Sequence, residues 1–203
     1  MKTVVAFSAG TDSVAALIDS INKYGKENII AYILVLATDK GQVYLWQEAQ
    51  LFYAKKICEE LGVELVVNTK NMVSGGHNVS PDIYEWCHAL IIYCIGNKDI
   101  ARAVDGFTSD DVYHKHALLW WDIFDRCMKA NDKSIKLEHP LTNISKQDCY
   151  SMISENIREY IWTCIKPKGT IRGKQGIKKY VACDECGKCK EFQSKVLLKD
   201  NYV

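Results

Sequence analysis

The feature that most restricts the fold is the start of the chain, where a short apolar run leads directly into small polar residues at positions 8–13. The run at positions 2–7 has the β-branched character of a buried strand, and positions 14–18 have helical spacing. A strand, a tight loop and a helix in this order leave backbone N–H groups at a helix N-terminus, where the helix dipole attracts anions. The segment therefore predicts a phosphate site. The alternative is an ordinary strand-to-helix connection capped by Asp12 or Ser13.

The next part of the chain alternates strand and helix patterns. Residues 28–36 are almost continuously apolar, which is typical of a central strand that is buried on both faces. Residues 47–61 have the pattern of a one-faced amphipathic helix, and residues 63–67 predict a third strand. The order β-α-β-α-β favours a parallel sheet with right-handed crossovers and helices on both faces. In such a sheet the loops at 8–13 and 38–42 lie at the same edge.

The remaining pattern predicts shorter elements. Residues 68–79 are polar and contain two consecutive glycines, which is typical of a loop over a site. Helices are predicted at residues 81–93, 120–128 and 146–157, and a short strand is predicted at residues 100–106. The chain thus continues as an α/β protein.

Composition restricts the class of protein further. The 203 residues are 48% apolar, which suits one α/β domain with a small appendage. No apolar run approaches the ~20 residues that cross a bilayer, and the first strand pattern begins too early to leave room for a leader. We expect a cytoplasmic protein. The net charge of +1 indicates no general polyanion-binding surface, and only the basic run at residues 166–179 departs from this balance.

Four of the nine cysteines have the spacing of a metal site. Cys183, Cys186 and Cys189 are separated by two residues each, and Cys164 is the best donor for a fourth ligand. In a cytoplasmic protein this pattern indicates metal binding rather than disulfides. Zinc held by four thiolates is the first choice, and the ligand count alone also allows an iron–sulfur cluster. Because four thiolates leave no open position, we expect a structural site.

The other cysteines fall within apolar helical patterns and predict small buried side chains. They are Cys58, Cys87, Cys94, Cys127 and Cys149. The whole chain is therefore predicted to consist of an α/β domain over residues 1–160 and a metal-binding segment over residues 161–203 that packs on it.

The loop at positions 8–13 reads Ser-Ala-Gly-Thr-Asp-Ser and resembles the S-G-G-x-D-S loop of the ATP pyrophosphatases, the PP-loop superfamily. These enzymes adenylate a substrate and release pyrophosphate. The resemblance implies an adenine-nucleotide α-hydrolase-like (Rossmann-like) parallel sheet. Ala9 stands where the pattern has its first glycine, and its methyl group is accommodated if the residue keeps a negative φ. The residues implied to bind ATP are Ser8, Ala9, Gly10, Thr11, Asp12 and Ser13, of which Asp12 also places Mg²⁺.

Further segments resemble one branch of this superfamily, the 7-cyano-7-deazaguanine synthases. The sequence Asp-Lys-Gly-Gln at 39–42 is similar to their D-Y-G-Q segment, and residues 140–146 are similar to their P-L-x-x-x-x-K element. The Trp-Thr-Cys sequence at 162–164, followed by the other three metal-site cysteines, is similar to their zinc site. The P-x-R-N element of the family has no counterpart at residues 81–84.

The resemblance implies a role for each matching residue. Asp39, Gly41 and Gln42 contribute to nucleotide binding. Asp111, which lies five residues after a glycine as in the family, accepts hydrogen bonds from the substrate. Lys146 acts in catalysis together with the loop aspartate by stabilising the pyrophosphate leaving group. The four cysteines are implied to hold zinc.

The activity implied by the resemblance is that of an ATP-dependent C–N ligase that forms a nitrile. It converts 7-carboxy-7-deazaguanine and ammonia to 7-cyano-7-deazaguanine through an adenylated intermediate, in 7-deazaguanine (queuosine-type) biosynthesis. The implied assembly is a homodimer, with Trp120 and Trp121 as a candidate contact. No membrane and no nucleic acid is expected as a partner.

Three alternatives stay open. A diverged adenylating enzyme of this branch would act on another carboxylate or on a macromolecular acceptor, which the missing P-x-R-N element permits. A tRNA-modifying PP-loop enzyme, of the thiolase or lysidine-forming type, is favoured only by the basic run at residues 166–179. A non-catalytic nucleotide-binding module would explain the alanine at position 9.

Overall fold

The computed structural model describes residues 1–71, 82–111, 114–172 and 178–197. Its strands are β1 Lys2–Ala6, β2 Ile29–Ala37, β3 Glu64–Asn71, β4 Ile100–Val104, β5 Lys136–Glu138, β6 Gly169–Arg172 and β7 Lys178–Val181. The first five form one parallel sheet in the order β3-β2-β1-β4-β5. This arrangement confirms the predicted α/β class.

Helices cover both faces of the sheet. They are α1 Thr11–Tyr24, α2 Leu45–Leu61, α3 Asp82–Gly96, α4 His114–Ala130, α5 Lys146–Ser151, α6 Glu155–Arg158 and α7 Gly187–Phe192. Successive side chains of a strand point to opposite faces, so Val5 packs with α1 and α2 whereas Val4 packs with α3 and α4. The two hydrophobic clusters enclose the sheet between them.

Strand β2 forms the centre of the sheet, as its apolar sequence predicts. All nine of its residues are buried. It pairs in parallel with β1 on one side and with β3 on the other, so neither its backbone nor either of its faces meets solvent. Its carboxyl end leads into the turn at residues 38–42, at the same sheet edge as the loop at residues 8–13.

The C-terminal segment packs on the α1 and α2 face of the same sheet. Strands β6 and β7 pair as an antiparallel hairpin. Trp162 stacks on Tyr53 of α2 with ring centroids 5.1 Å apart, and Tyr180 of β7 lies edge-on to both rings. These aromatic residues and the four metal-site cysteines belong to the hydrophobic cluster that contains β1 and α1. The segment therefore shares the core of the α/β domain.

Several elements differ from the sequence prediction. Strand β3 extends to Asn71 into the polar stretch predicted as a loop, because a long register with β2 pairs its backbone. The rest of that stretch, from residue 72 to residue 79, lies outside the described residues. The helix predicted over residues 146–157 is two helices, since Ser154 begins α6 with an extended backbone conformation. Strands β5, β6 and β7 were not predicted, and each has only three or four residues.

The structure also bears on two expectations about surfaces. Trp120 is buried against Phe124 in the core of the α3 and α4 face, which leaves little of its ring for a dimer contact. Among the described residues, no helix is both long enough and apolar enough to cross a membrane.

Candidate functional site

The loop at residues 8–13 is held by hydrogen bonds within it and from neighbouring elements. Ser8 N donates to Ser13 Oγ at 3.1 Å, and Ser13 Oγ donates to Gly10 O at 3.0 Å. Neighbouring elements bind its carbonyl groups, since Gln50 Nε2 donates to Ser8 O at 2.8 Å and Trp162 N donates to Ala9 O at 2.9 Å. These bonds fix the backbone of the connection between β1 and α1.

Ala9 has a φ of 58°, which contradicts the expectation that it keeps a negative φ. This is the left-handed conformation that favours glycine, and it costs an L-residue about 1–2 kcal/mol. The methyl group is completely buried in the core. The backbone at position 9 therefore follows the course that a glycine would take, and packing around the methyl group compensates for the strain.

Helix α1 begins at Thr11 without a side-chain cap, so neither Asp12 nor Ser13 caps it as the alternative interpretation requires. The first N–H groups of a helix have no partner within the helix. Two buried oxygen atoms beside them, Thr11 Oγ1 and Asp12 Oδ1, also have no hydrogen-bond partner among the described residues. The residues that carry these groups line a cavity of about 180 Å³, which we call the smaller cavity. Its unpaired donors and acceptors fit a polar ligand.

Lys146 reaches the smaller cavity from the start of α5, where it lies beside Asp12, the other residue predicted to act in catalysis. Its Nζ lies 3.0 Å from Asp12 Oδ2, 3.2 Å from Glu191 Oε1 and 3.7 Å from Asp111 Oδ2. Burial alone would lower the pKa of Lys146, but the carboxylates of Asp12 and Asp111 raise it above its usual value. Lys146 is therefore a permanent cation at the helix start.

The pKa values of two carboxyl groups next to this lysine are shifted in opposite directions. Burial raises the pKa of Asp12, although Lys146 works against that rise. Burial would also raise the pKa of Glu191, but Lys146 and Lys188 lower it below its usual value. Glu191 and Lys188 both belong to α7, and their side chains are 3.2 Å apart. The sequence analysis did not single out these two residues, because no motif marks them.

A second cavity of about 340 Å³, the larger cavity, lies where the strand order reverses between β1 and β4. Open α/β sheets bind ligands at this switch point. Gly106, just after β4, approaches the first turn of α1 so closely that a Cβ would lie 3.1 Å from backbone atoms of Asp12 and Ser13. Asp111 lines this cavity, as its predicted role in substrate binding requires.

Asp105 also lines the larger cavity, and the sequence analysis missed it. It follows β4 directly and is almost completely buried. Trp121 Nε1 donates to its Oδ2 at 2.6 Å, and His139 Nδ1 donates to the same oxygen at 2.9 Å. The Trp121 and His139 rings stack with centroids 3.8 Å apart. The only available sequence signal was the position of Asp105 at the carboxyl end of a strand.

The segment at residues 39–42 does not join the other predicted site residues. Gly41 has a φ of 76°, and its N–H donates to Thr38 O at 2.9 Å in a tight turn. Asp39, Gly41 and Gln42 are exposed, and none of them lines either cavity. Their predicted contribution to nucleotide binding stays a prediction.

The four cysteines predicted as metal ligands lie together in the C-terminal segment. The Sγ atoms of Cys164, Cys183, Cys186 and Cys189 all lie within 4.8 Å of one another and are buried. Backbone N–H groups point at the sulfurs, since Cys186 N lies 3.2 Å from Cys183 Sγ and Cys183 N lies 3.3 Å from Cys164 Sγ. Such donors stabilise thiolates. The group is a four-cysteine site that could hold a metal.

Of the five other cysteines predicted to be buried, Cys58, Cys94 and Cys149 are buried, whereas Cys87 and Cys127 are half-buried. Burial raises the pKa of Cys58, Cys94 and Cys149 to about 12, so these thiols stay protonated and weakly nucleophilic at neutral pH. Burial, with a smaller effect from Asp105, raises the pKa of Cys87 to about 12 as well, although Cys87 lines the larger cavity. These four thiols are poor candidates for a nucleophile.

Comparison with known proteins identifies the fold. No protein-family model matches the chain, and no curated protein matches its sequence. Among solved structures, the chain is similar to the U34-tRNA thiolase NcsA from Methanococcus maripaludis, a structure that contains a 4Fe–4S cluster, with a TM-score of 0.56 and 18% identity. The match covers all of this chain and 66% of the thiolase. The chain therefore has the PP-loop fold, and it spans about two thirds of that relative's length.

Proposed function

We propose that the protein is an ATP-dependent adenylating enzyme. The smaller cavity carries this proposal, because it combines an uncapped helix start, two buried oxygen atoms without partners and a buried lysine. The helix N–H groups and Lys146 attract phosphate oxygens. The unpaired Asp12 Oδ1 offers an oxygen ligand for Mg²⁺.

Different groups of the smaller cavity contribute to pyrophosphate release in different ways. The N–H groups at the start of α1 bind and orient the phosphates, and Lys146 balances the charge that develops on the leaving pyrophosphate. Mg²⁺, held by Asp12 and the phosphates, would neutralise part of that charge when bound. The rigid backbone of the loop means that these donors are oriented before the nucleotide arrives.

We further propose 7-carboxy-7-deazaguanine as the acid that is adenylated. Its carboxylate oxygen attacks the α-phosphorus of ATP, the bond between the α- and β-phosphates breaks, and pyrophosphate leaves. Ammonia then attacks the acyl carbon, AMP leaves and a proton is released, which gives the amide. A second ATP adenylates the amide oxygen with release of a second pyrophosphate, and loss of AMP and of both N–H protons of the amide gives the nitrile. The motif resemblance and the adjacent larger cavity support this substrate.

Zinc is the metal that we propose for the four-cysteine site. A zinc ion bound to four sulfurs at about 2.3 Å places these sulfurs about 3.8 Å apart. The distances from Cys183 Sγ to Cys164 Sγ and to Cys189 Sγ are 3.6 and 3.9 Å, which fit a single ion. A four-iron cluster needs more room, because its irons lie between the thiolates.

Mass spectrometry of the reaction products tests the proposed substrate. Purified metal-loaded protein is incubated with Mg-ATP, ammonium and 7-carboxy-7-deazaguanine, and the expected product is the nitrile, with two AMP and two pyrophosphate formed per turnover. The Asp12→Asn variant is the matched control and is expected to form no nitrile, no AMP and no pyrophosphate. Pyrophosphate release without any change of the acid would contradict this substrate and leave adenylation of another acceptor.

A tRNA-modifying enzyme is the second candidate, and a specific observation favours it. The segment of residues 165–182, which contains the β6–β7 hairpin, carries six lysines and arginines and no acidic residue, whereas the whole chain has a net charge of +1. Lys166, Lys168, Arg172 and Lys179 are exposed. A fold neighbour acts on tRNA. Retention of tRNA that weakens steeply with salt, and that is lost when these four residues are replaced by glutamine, would support this candidate.

A further inference from the structure

We propose that the larger cavity binds a planar heterocycle and that Asp105 recognises an N–H donor on the edge of that ring. The inference rests on the proposed function and specifies the class of substrate at the same site. It assigns a recognition role to a residue that none of the sequence motifs contains.

The walls of the larger cavity suit a flat, largely apolar ligand. Its aromatic residues are Phe7, Trp86, Phe107 and Trp120, and they are joined by Leu90. A volume of about 340 Å³ lies at the lower end of the range for small-molecule sites. Aromatic side chains stack on flat rings and bury their surfaces. The cavity also opens to the loop at residues 8–13, so a bound ring can present a reactive group to the nucleotide.

The carboxylate of Asp105 is a fixed hydrogen-bond acceptor in this wall. Its Oδ2 already accepts from Trp121 Nε1 and His139 Nδ1. Among the described residues, the contact that its Oδ1 makes is a long one with Phe107 N, at 3.4 Å. The side chain is 4% exposed, so water does not satisfy the second oxygen well. A ligand that offers an amino or ring N–H group supplies the missing donor.

Asp111, the other carboxylate of the cavity, is already engaged elsewhere. Its Oδ2 lies 3.7 Å from Lys146 Nζ, and its charge raises the pKa of that lysine. Asp111 thus lines the larger cavity beside this lysine. Asp105 is instead held by Trp121 and His139, so we assign recognition of the ring edge to Asp105.

This arrangement predicts which way the specificity changes in a variant. In Asp105→Asn the amide oxygen keeps the two donors Trp121 and His139, and the amide NH₂ replaces Oδ1. An acceptor in the cavity thus becomes a donor. The variant should reject a ring with an amino group at this edge and accept one with a carbonyl group there.

Equilibrium dialysis with labelled guanine, hypoxanthine and xanthine tests the proposal, because guanine and hypoxanthine differ only in the amino group at C2, and xanthine has a carbonyl group there together with a proton on N3. We expect the unmodified protein to bind guanine about 5- to 150-fold more tightly than xanthine, the range for one buried hydrogen bond left unmade. Asp105→Asn should reverse that order. The matched control is Asp122→Asn, an exposed aspartate one residue from Trp121 on α4, which should leave the order unchanged.

A second variant keeps the test decisive if Asp105→Asn does not fold. Trp121→Phe removes one of the two donors that fix the carboxylate, and it should reduce the ratio of guanine to xanthine affinity several-fold while Mg-ATP affinity is retained. An unchanged ratio in both variants, or no binding of any purine, would overturn the proposal. Because dialysis needs no turnover, purine preference without ATP chemistry would refute only the proposed function, and turnover with no effect of Asp105 would refute only this inference.

Discussion

The two cavities share a wall formed by Ser8, Asp12, Ser13, Ile165 and Lys188, yet their other walls differ. The smaller one combines the start of α1 with Lys146 of α5, Glu191 of α7 and apolar side chains of the C-terminal segment. The larger one has aromatic side chains from the residue after β1, from α3 and α4, and from the loop after β4. A short local motif thus supplies part of the charged site, whereas the shape that selects a substrate depends on how distant elements pack.

The largest effect that separates the two cavities is expected from Lys146→Ala. This change removes the buried cation of the smaller cavity and leaves the larger cavity intact, so pyrophosphate release should fall about 10²- to 10³-fold with purine binding unchanged. ATP–pyrophosphate exchange measures the first property and dialysis the second. Lys195→Ala is the matched control, because this half-exposed lysine contacts Glu191 at 3.4 Å but lines neither cavity. Equal losses in the two variants would contradict a special role for Lys146.

Removal of the metal should weaken nucleotide binding next most strongly. Cys186 is the N-cap of α7 and Cys189 lies within it, so a metal held by the four cysteines would fix the helix that carries Lys188 and Glu191 to the smaller cavity. A helix of six residues is not stable by itself. We expect Cys164→Ser to abolish metal retention and to lower Mg-ATP affinity about tenfold or more, since a lost charged contact is worth about 1.5–3 kcal/mol.

Elemental analysis measures the metal content of these samples, and calorimetric titration measures their Mg-ATP affinity. Cys127→Ser provides the control, because Cys127 is a half-buried cysteine of α4 outside the metal group. Full Mg-ATP affinity in metal-free protein would contradict the expectation that nucleotide binding at the smaller cavity depends on a metal at the four-cysteine site.

Gly106→Ala should disturb both cavities at their shared wall. The added Cβ would lie 3.1 Å from backbone atoms of Asp12 and Ser13, and the backbone of α1 cannot easily move away from it. Overpacking of this kind costs about 1–3 kcal/mol in the free energy of unfolding, which denaturant titration measures. Gly96→Ala at the end of α3 meets no atom within 4 Å and should leave that free energy nearly unchanged. A similar result for the two variants would indicate that β4 and α1 can move apart.

The smallest effect is expected from Ala9→Gly. Relief of the left-handed strain returns about 1–2 kcal/mol, which the lost burial of one methyl group, about 0.8 kcal/mol, and the greater freedom of the unfolded chain, about 0.4–1 kcal/mol, largely offset. Ala15→Gly in α1 has the same two costs without the relief. The free energy of unfolding should therefore fall about 1–2 kcal/mol further in Ala15→Gly, and equal values would contradict strain at position 9.

Much of the smaller cavity was predictable because its parts are local in sequence. The small residues after β1, the lysine at the start of α5 and the cysteine spacing each carry a recognisable pattern. Even so, the conformation of Ala9 was predicted wrongly. Its residue type favours a negative φ, but the bond from Trp162 N to its carbonyl and the buried methyl group hold the opposite one.

The larger cavity was not predictable in the same way. Asp105 and His139 are 34 residues apart, and they meet because β5 pairs beside β4 and both residues follow their strands directly. Strand β5 has only three residues, too few to produce a periodic signal. The aromatic walls likewise combine Trp86 and Trp120 from two helices with Phe7 and Phe107 from loops, and no motif marks any of them. Sequence patterns predict elements, but they do not predict which elements will become neighbours.

Calorimetric titration of the folded, metal-loaded protein with ATP tests the central claim most directly, because it asks whether the loop at residues 8–13 holds a triphosphate. We predict one binding event per chain that requires Mg²⁺, with an affinity in the range of about 1 μM to 1 mM that is common for enzyme substrates, and its loss in Asp12→Asn. Absence of heat with Mg-ATP in a sample whose folding and metal content are verified would contradict the account.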